Sequence, residues 1–208
     1  MLDAATFLAF VPAAVALILA PGADTVYVLT SGLRDGRGPG VAGAAGVATG
    51  VLVHTAGVAL GLAALLRAVP EAYAFVRYAG AAYLLYLGIE ALRSRESFTL
   101  ADGAGARRGI REGFAGGLLV NVLNPKVALF FLAFLPQFLP RDPLFADLAV
   151  LGGTYAGLSL AYLGAVAVFA ESVRERLLSN PPARTAVRYL TGAVLAGFGL
   201  ALAAEGLL

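Results

Sequence analysis

Long apolar runs separated by short polar breaks fill the chain. The runs cover about 4–33, 39–66, 72–92, 114–139, 144–170 and 185–204. Each is near or above the ~20 residues that an α-helix needs to cross the hydrocarbon of a bilayer. The pattern therefore predicts six transmembrane helices in one transmembrane domain, 1–208, with short connectors and no soluble catalytic domain. One extended polar segment, SRESFTLADGAGARRGIREG, divides it into halves of three spans: about 1–93, a loop of about 94–112, and about 113–208. The opening MLDAATFLAF lacks the basic stretch and A-x-A site of a cleaved signal, so the first run is expected to stay as a span.

Composition agrees with that reading. The 208 residues are 60% hydrophobic and 13% charged, with a mean hydropathy of +0.83, far more apolar than an ordinary soluble domain. The predicted class is an all-α integral membrane protein. Cysteine is absent, which excludes a disulfide, thiol redox chemistry and thiolate metal sites. A single histidine, His54, cannot build a zinc site alone, so no metal and no cofactor are expected. The net charge of +2 is explained by topology, and nucleic acid is not an expected partner.

The arginines set that topology. Arg34 and Arg37 lie near 34–38; Arg93, Arg95, Arg107, Arg108 and Arg111 on the 93–113 connector; Arg174, Arg176, Arg184 and Arg188 near 171–188. These three connectors share one side, against Arg67, Arg77 and Arg141 on the other. The positive-inside rule makes the arginine-rich side cytoplasmic and leaves both termini outside.

The halves also resemble one another. Val76-Arg77-Tyr78, followed by Gly80 and Gly88, is echoed by Val187-Arg188-Tyr189, followed by Gly192 and Gly199. A proline interrupts the first span of each half, Pro21 in LAPGAD and Pro125 in LNPK. Halves with an odd number of spans are related upside down, so the prediction is two inverted three-helix repeats with helices 1 and 4 broken at Pro21 and Pro125, a plan common among secondary transporters.

These breaks carry the candidate chemistry. A proline inside a helix removes a backbone donor and leaves a carbonyl unpaired where no water can reach it. Matched breaks at Pro21-Gly22 and Asn124-Pro125 are expected to line a cavity rather than face lipid; a kink relieved by a neighbouring helix is the plainer alternative. Asp24 follows the first break, and Lys126, the only lysine, follows the second. An ionisable group at mid-bilayer costs about 2.5 to 3.5 kcal/mol even on the lenient insertion scale, so both must face inward. Glu90, Asp147, Glu171 and Glu205 stand near span ends, where side chains are expected to reach water.

Asp24 and Lys126 are expected to pair across the interface of the halves and to offer an anion and a cation to a zwitterionic ligand. Lysine can release a proton when desolvated and arginine effectively cannot, which suits proton coupling; a static pair that fixes helix register is the alternative. Asn121 lies one turn before Asn124 on the same helix face and can cap the break or contact ligand. His54, with Thr49 and Thr55, is placed at the cavity edge; Gln137 and Tyr155 are weaker candidates. Gly40, Gly43, Gly46, Gly50, Gly57 and Gly61 in span two, and Gly153 and Gly157 in span five, are read as close-packing positions. Such faces also suit a homodimer.

The stretches LAPGADTVYVLTSGLRDGRGPG, AAYLLYLG and NPKVALFFLAFLPQF together resemble the lysine-exporter superfamily of the LysE/RhtB type, over nearly the whole chain. The resemblance implies export of amino acids or related small metabolites across a bacterial inner membrane, driven by the proton-motive force. It implies a site at Pro21, Gly22, Asp24, Asn121, Asn124, Pro125 and Lys126. Ala23 stands where the family frequently has a second proline, which implies a milder first break. Rival readings are a passive channel, an ion or metal transporter, a membrane-embedded enzyme and a structural subunit. One acid and one base in the membrane favour a neutral or zwitterionic amino acid, and protons and lipid are the other expected partners.

Overall fold

A computed structural model describes residues 2–62, 70–93, 108–140 and 144–204, and among these every regular element is helical. Arg67, Arg95, Arg107, Arg141, Glu205 and most of the 94–112 loop lie outside the described residues. The first apolar run is two helices, α1 (Ala4–Leu19) and α2 (Ala23–Arg34), meeting at a bend of 54°. Asp3 caps α1 by accepting the Thr6 backbone N–H at 2.7 Å, and that bond holds its carboxyl below the usual carboxylate range. Then come α3 (Arg37–Gly57), prolonged by a π turn over Val58–Leu62, and α4 (Pro70–Arg93).

The second bent run is α5 (Ile110–Val122) and α6 (Pro125–Leu129), with a 50° bend between them. It continues through a π turn at Phe130–Phe134 and a 3-10 turn at Leu135–Phe138. The chain ends with α7 (Phe145–Val168), α8 (Ala170–Ser179) and α9 (Pro181–Ala204). Three helices, α3, α7 and α9, are each long and apolar enough to cross a membrane. Each bent pair adds one more, for up to five spans among the described residues. The 24 residues of α4 are long enough, but Tyr73, Tyr78, Tyr83, Tyr86 and Arg77 dilute its apolar content.

The connector expected over 171–188 is largely helix. Arg174 and Arg176 stand on α8, and Arg184 and Arg188 on α9. Asn180, preceding Pro181, is forced out of the helical region (φ −122°, ψ 87°), which ends α8. Its side chain then accepts the Ala183 N–H at 3.0 Å and starts α9.

Packing places α3 at the centre, along α2, α5 and α7, while α4 and α9 lie against each other. Close approach of α3 and α5 depends on missing side chains. A Cβ on Gly46 would enter the Phe114 carbonyl and the Leu118 amide, and one on Gly117 would strike the Gly43 carbonyl. Where lipid is as apolar as leucine, such backbone contact is the main source of helix association. In α4 and α9 the helices run in opposite directions, Ala81 and Leu85 meeting Gly199 while Leu92 and Gly88 meet Gly192. Arg77 lies 4.6 Å over the Tyr78 ring, and Arg188 lies 4.9 Å over the Tyr189 ring.

Four of the glycines expected at contacts are not there. Gly57, Gly61, Gly153 and Gly157 face open space, and Gly152 is the residue of α7 that packs, against Thr55. Spacing by four puts residues on one helix face without saying which face meets a neighbour. Gly61 has another use: at φ +89° it kinks the chain inside the π turn in a conformation that side chains disfavour.

An aromatic cluster locks the second bend. Phe130, Phe131 and Tyr155 are buried, and Phe130 contacts Phe10, Phe134, Phe198 and Tyr155 at centroid separations between 5.3 and 6.4 Å. Replacing Gly46 by Val should force α3 from α5 and lower stability by about 1–3 kcal/mol or more. Thermal unfolding in detergent checks this, with Gly157→Val expected to stay near wild type.

Candidate functional site

Each proline leaves one carbonyl four residues back without its helical donor: Leu17 for Pro21, Asn121 for Pro125. Side chains from elsewhere supply the missing donors. Lys126 Nζ donates to the Leu17 carbonyl at 3.3 Å and to the neighbouring Ala20 carbonyl at 2.8 Å. His54 Nε2–H, on α3, donates to the Asn121 carbonyl at 3.2 Å, which also accepts the Asn124 N–H at 2.9 Å. The ammonium thus sits at the negative end of α1, where the helix dipole favours a cation. His54 is held from behind by Phe131, its ring stacked at 5.8 Å.

Asp24 occupies the first turn of α2, where a carboxylate is favoured by the opposite end of a helix dipole. Its Oδ2 accepts Asn121 Nδ2–H at 3.1 Å. Asn124 caps α6, its Oδ1 accepting the Lys126 backbone N–H at 3.1 Å. Asn121, Asn124 and Lys126 are 0%, 5% and 7% exposed. These bonds leave Asp24 Oδ1, Asn121 Oδ1 and Asn124 Nδ2 buried without a well-formed hydrogen bond, the Asn124 amide lying near the Asp24 carboxylate.

The expected direct ion pair between Asp24 and Lys126 is not formed. The carbonyls at the end of α1 claim the ammonium and Asn121 claims the carboxylate, so the two charges share one junction without touching. Glycine lets the junction close: a Cβ on Gly22 would lie 3.0 Å from Lys126 Nζ, and one on Gly50 only 2.5 Å from Asn121 Oδ1. Pro21 and Gly22 are half-buried, and Pro125 is exposed.

The structure brings Pro21, Gly22, Asp24, Asn121, Asn124, Lys126 and His54 together, with Pro125 behind them. Thr49 and Thr55 do not join them, because their hydroxyls donate at 2.9 Å to carbonyls of their own helix, those of Ala45 and Val51. Gln137 likewise donates to the Ala133 carbonyl at 3.4 Å. Tyr155 belongs to the aromatic cluster. Asp147 departs from expectation: rather than reaching water, it is 4% exposed and accepts the N–H groups of Leu2 and Leu144. Asp35, which the sequence reading passed over, is buried in the same manner. The signal was available, since each acid stands at a helix junction where unpaired backbone donors collect.

Comparison with protein families matches residues 15–206 to the LysE type translocators. The chain belongs to this family. It is therefore a membrane transporter rather than an enzyme. A homoserine/homoserine lactone efflux protein of Salmonella typhimurium is 32% identical over 76% of this chain and 76% of its own length. A leucine efflux protein of Klebsiella pneumoniae is 30% identical over 95% of this chain and 94% of its own. A membrane protein of Vibrio cholerae is 30% identical over 97% and 98%. No solved structure matches.

Gly50→Ala should push Asn121 off Asp24 and lower the thermal midpoint in detergent by several degrees, an effect of about 1–3 kcal/mol. Gly57→Ala, on a face with open space, should leave the midpoint in place.

Proposed function

We propose that this translocator exports neutral, zwitterionic amino acids from the cytoplasm in exchange for protons, with the site at the two broken helices. The observation that carries this is the set of buried atoms at the junction without a well-formed hydrogen bond. Asp24 Oδ1 and Asn121 Oδ1 are acceptors suited to an α-ammonium group, while Asn124 Nδ2 is a donor suited to an α-carboxylate. Lys126, bonded to the Ala20 carbonyl four residues before the acid, can turn from the α1 carbonyls to the same carboxylate. Acid and base cancel, as a zwitterion requires. The efflux roles in the names of the Salmonella and Klebsiella relatives support the amino-acid class and the direction.

The architecture we propose is six spans in two inverted repeats, α1 to α4 and α5 to α9, with α4 as the third span. The paired bends, the antiparallel α4–α9 contact and the two arginine-over-tyrosine contacts support it. In this reading the protein lies in the bacterial inner membrane, the arginine-rich connectors face the cytoplasm and both termini lie outside.

A static role for Lys126 is the second reading, and its bonds to Leu17 and Ala20 favour it. Flux in proteoliposomes under an imposed pH gradient separates the possibilities. Saturable, gradient-dependent amino-acid flux is expected from the wild type, and non-saturable flux would point to a channel. Lys126→Arg should fold yet lose gradient-driven flux by a hundredfold or more, about 3 kcal/mol; full activity would remove the proton-carrier role. In cells lacking exporters, the wild type should raise tolerance to a toxic neutral amino acid and Lys126→Ala should not.

A further inference from the structure

Two buried acids outside the central site make the same contact at opposite ends of the molecule. Asp35, 9% exposed, lies between α2 and α3. Its Oδ1 accepts the backbone N–H of Arg108 at 3.0 Å, two residues before α5 begins. Its Oδ2 accepts the Ser31 hydroxyl at 3.3 Å, and Arg34 Nε lies 3.7 Å from Oδ1. Asp147, 4% exposed, lies in the first turn of α7. Its Oδ1 accepts the backbone N–H of Leu2 at 2.7 Å, two residues before α1 begins, and its Oδ2 accepts the Leu144 N–H at 2.9 Å.

The two contacts are crosswise. Asp35 stands where the first bent run turns into α3, and it holds the entrance of the second bent run. Asp147 stands where the second bent run turns into α7, and it holds the entrance of the first. Since α1–α2 runs from Leu2 to Asp35 and α5–α6 onward runs from Arg108 towards Asp147, the contacts lie at opposite ends, with both proline bends between them. A cavity is lined by the Asp147 contact itself, and another by the residues on either side of Asp35, Arg34 and Gly36. One of about 430 Å³ is lined by Leu2, Asp3, Phe7, Asp147 and Val150; the other, about 320 Å³, by Arg34, Gly36, Arg37, Phe169 and Glu171.

A carboxylate accepting a backbone N–H is a strong, charge-assisted bond when dry. Stripping a buried acid of its donor is costly unless water takes the donor's place. Each contact therefore has two tolerable arrangements: bonded and closed, or parted and wet. Opening one end exchanges an amide for water there and leaves the other end untouched.

We propose that Asp35 and Asp147 are a pair of latches between the two halves, and that the protein opens towards one side by releasing one latch while the other holds. This rests on the reading of the proline junction as the transport site, but its test needs no substrate and so stands apart from any flux result. Because the chain has no cysteine, a single reporter can be placed beside Asp24 as Thr25→Cys, a position 8% exposed. Its reaction with a membrane-impermeant maleimide is then measured from each face of oriented vesicles.

Asp35→Ala should raise labelling from one face and Asp147→Ala from the opposite face, each by about tenfold or more, the effect of losing one charge-assisted bond. Arg108→Pro and Leu2→Pro remove the donating N–H and should reproduce the respective patterns, whereas Arg108→Ala loses the side chain but keeps the amide and should not. The proline variants decide the matter if an alanine variant fails to fold. Labelling that rises from the same face in both cases, or that stays at the wild-type level in monodisperse variants, would overturn the latches.

Discussion

A carbonyl deprived of its helical donor inside hydrocarbon is the constraint around which this protein is arranged. Water satisfies such a group in a soluble protein, whereas here a neighbouring helix must. Pro21 and Pro125 create two of these groups, at Leu17 and Asn121, and Lys126 and His54 answer them from the other half and from α3. Each break is thus stitched to a distant segment of chain. The bends of 54° and 50° are held by these bonds and by the aromatic cluster beneath the second of them.

The same stitching concentrates polar groups at one depth. Helix ends of opposite sign meet there: the last carbonyls of α1 receive an ammonium, and the first turn of α2 carries a carboxylate. Neither charge is neutralised by the other at contact distance, so both keep capacity for a third party. The orientation of the two asparagines follows from the bonds they already make, and it leaves an acceptor on one and a donor on the other. In the proposed function, structural satisfaction and ligand binding draw on the same few side chains, which makes substitutions at this junction felt in both.

Away from the junction, stability depends on helices approaching without side chains between them. Gly43, Gly46 and Gly117 allow α3 to lie on α5, and Gly88, Gly192 and Gly199 do the same for α4 and α9. The contacts at Asp35 and Asp147 differ in kind, since each joins distant segments through one charge-assisted bond to an amide ahead of a helix. Broad apolar seams resist separation over their whole length, while a bond at the rim can be exchanged for water locally. The fold places the first along the helices and the second at their ends.

Much of this was legible in the residue order. Hydrophobic run lengths specify helices of membrane-spanning size because the bilayer sets their length, and proline specifies where they break because its ring and missing N–H act on the adjacent turn whatever the surroundings. The cost of burying charge marked Asp24 and Lys126 as inward-facing before any coordinates. Partners could not be read in this way. That Lys126 bonds carbonyls rather than Asp24, that Asp147 is buried, that Gly152 packs while Gly153 and Gly157 do not, and that 170–179 is helical all depend on which faces meet. Local chemistry acts between neighbours in sequence and is visible there, whereas rotation of each helix about its axis is decided by contacts among segments a hundred residues apart, and only the tertiary structure contains those.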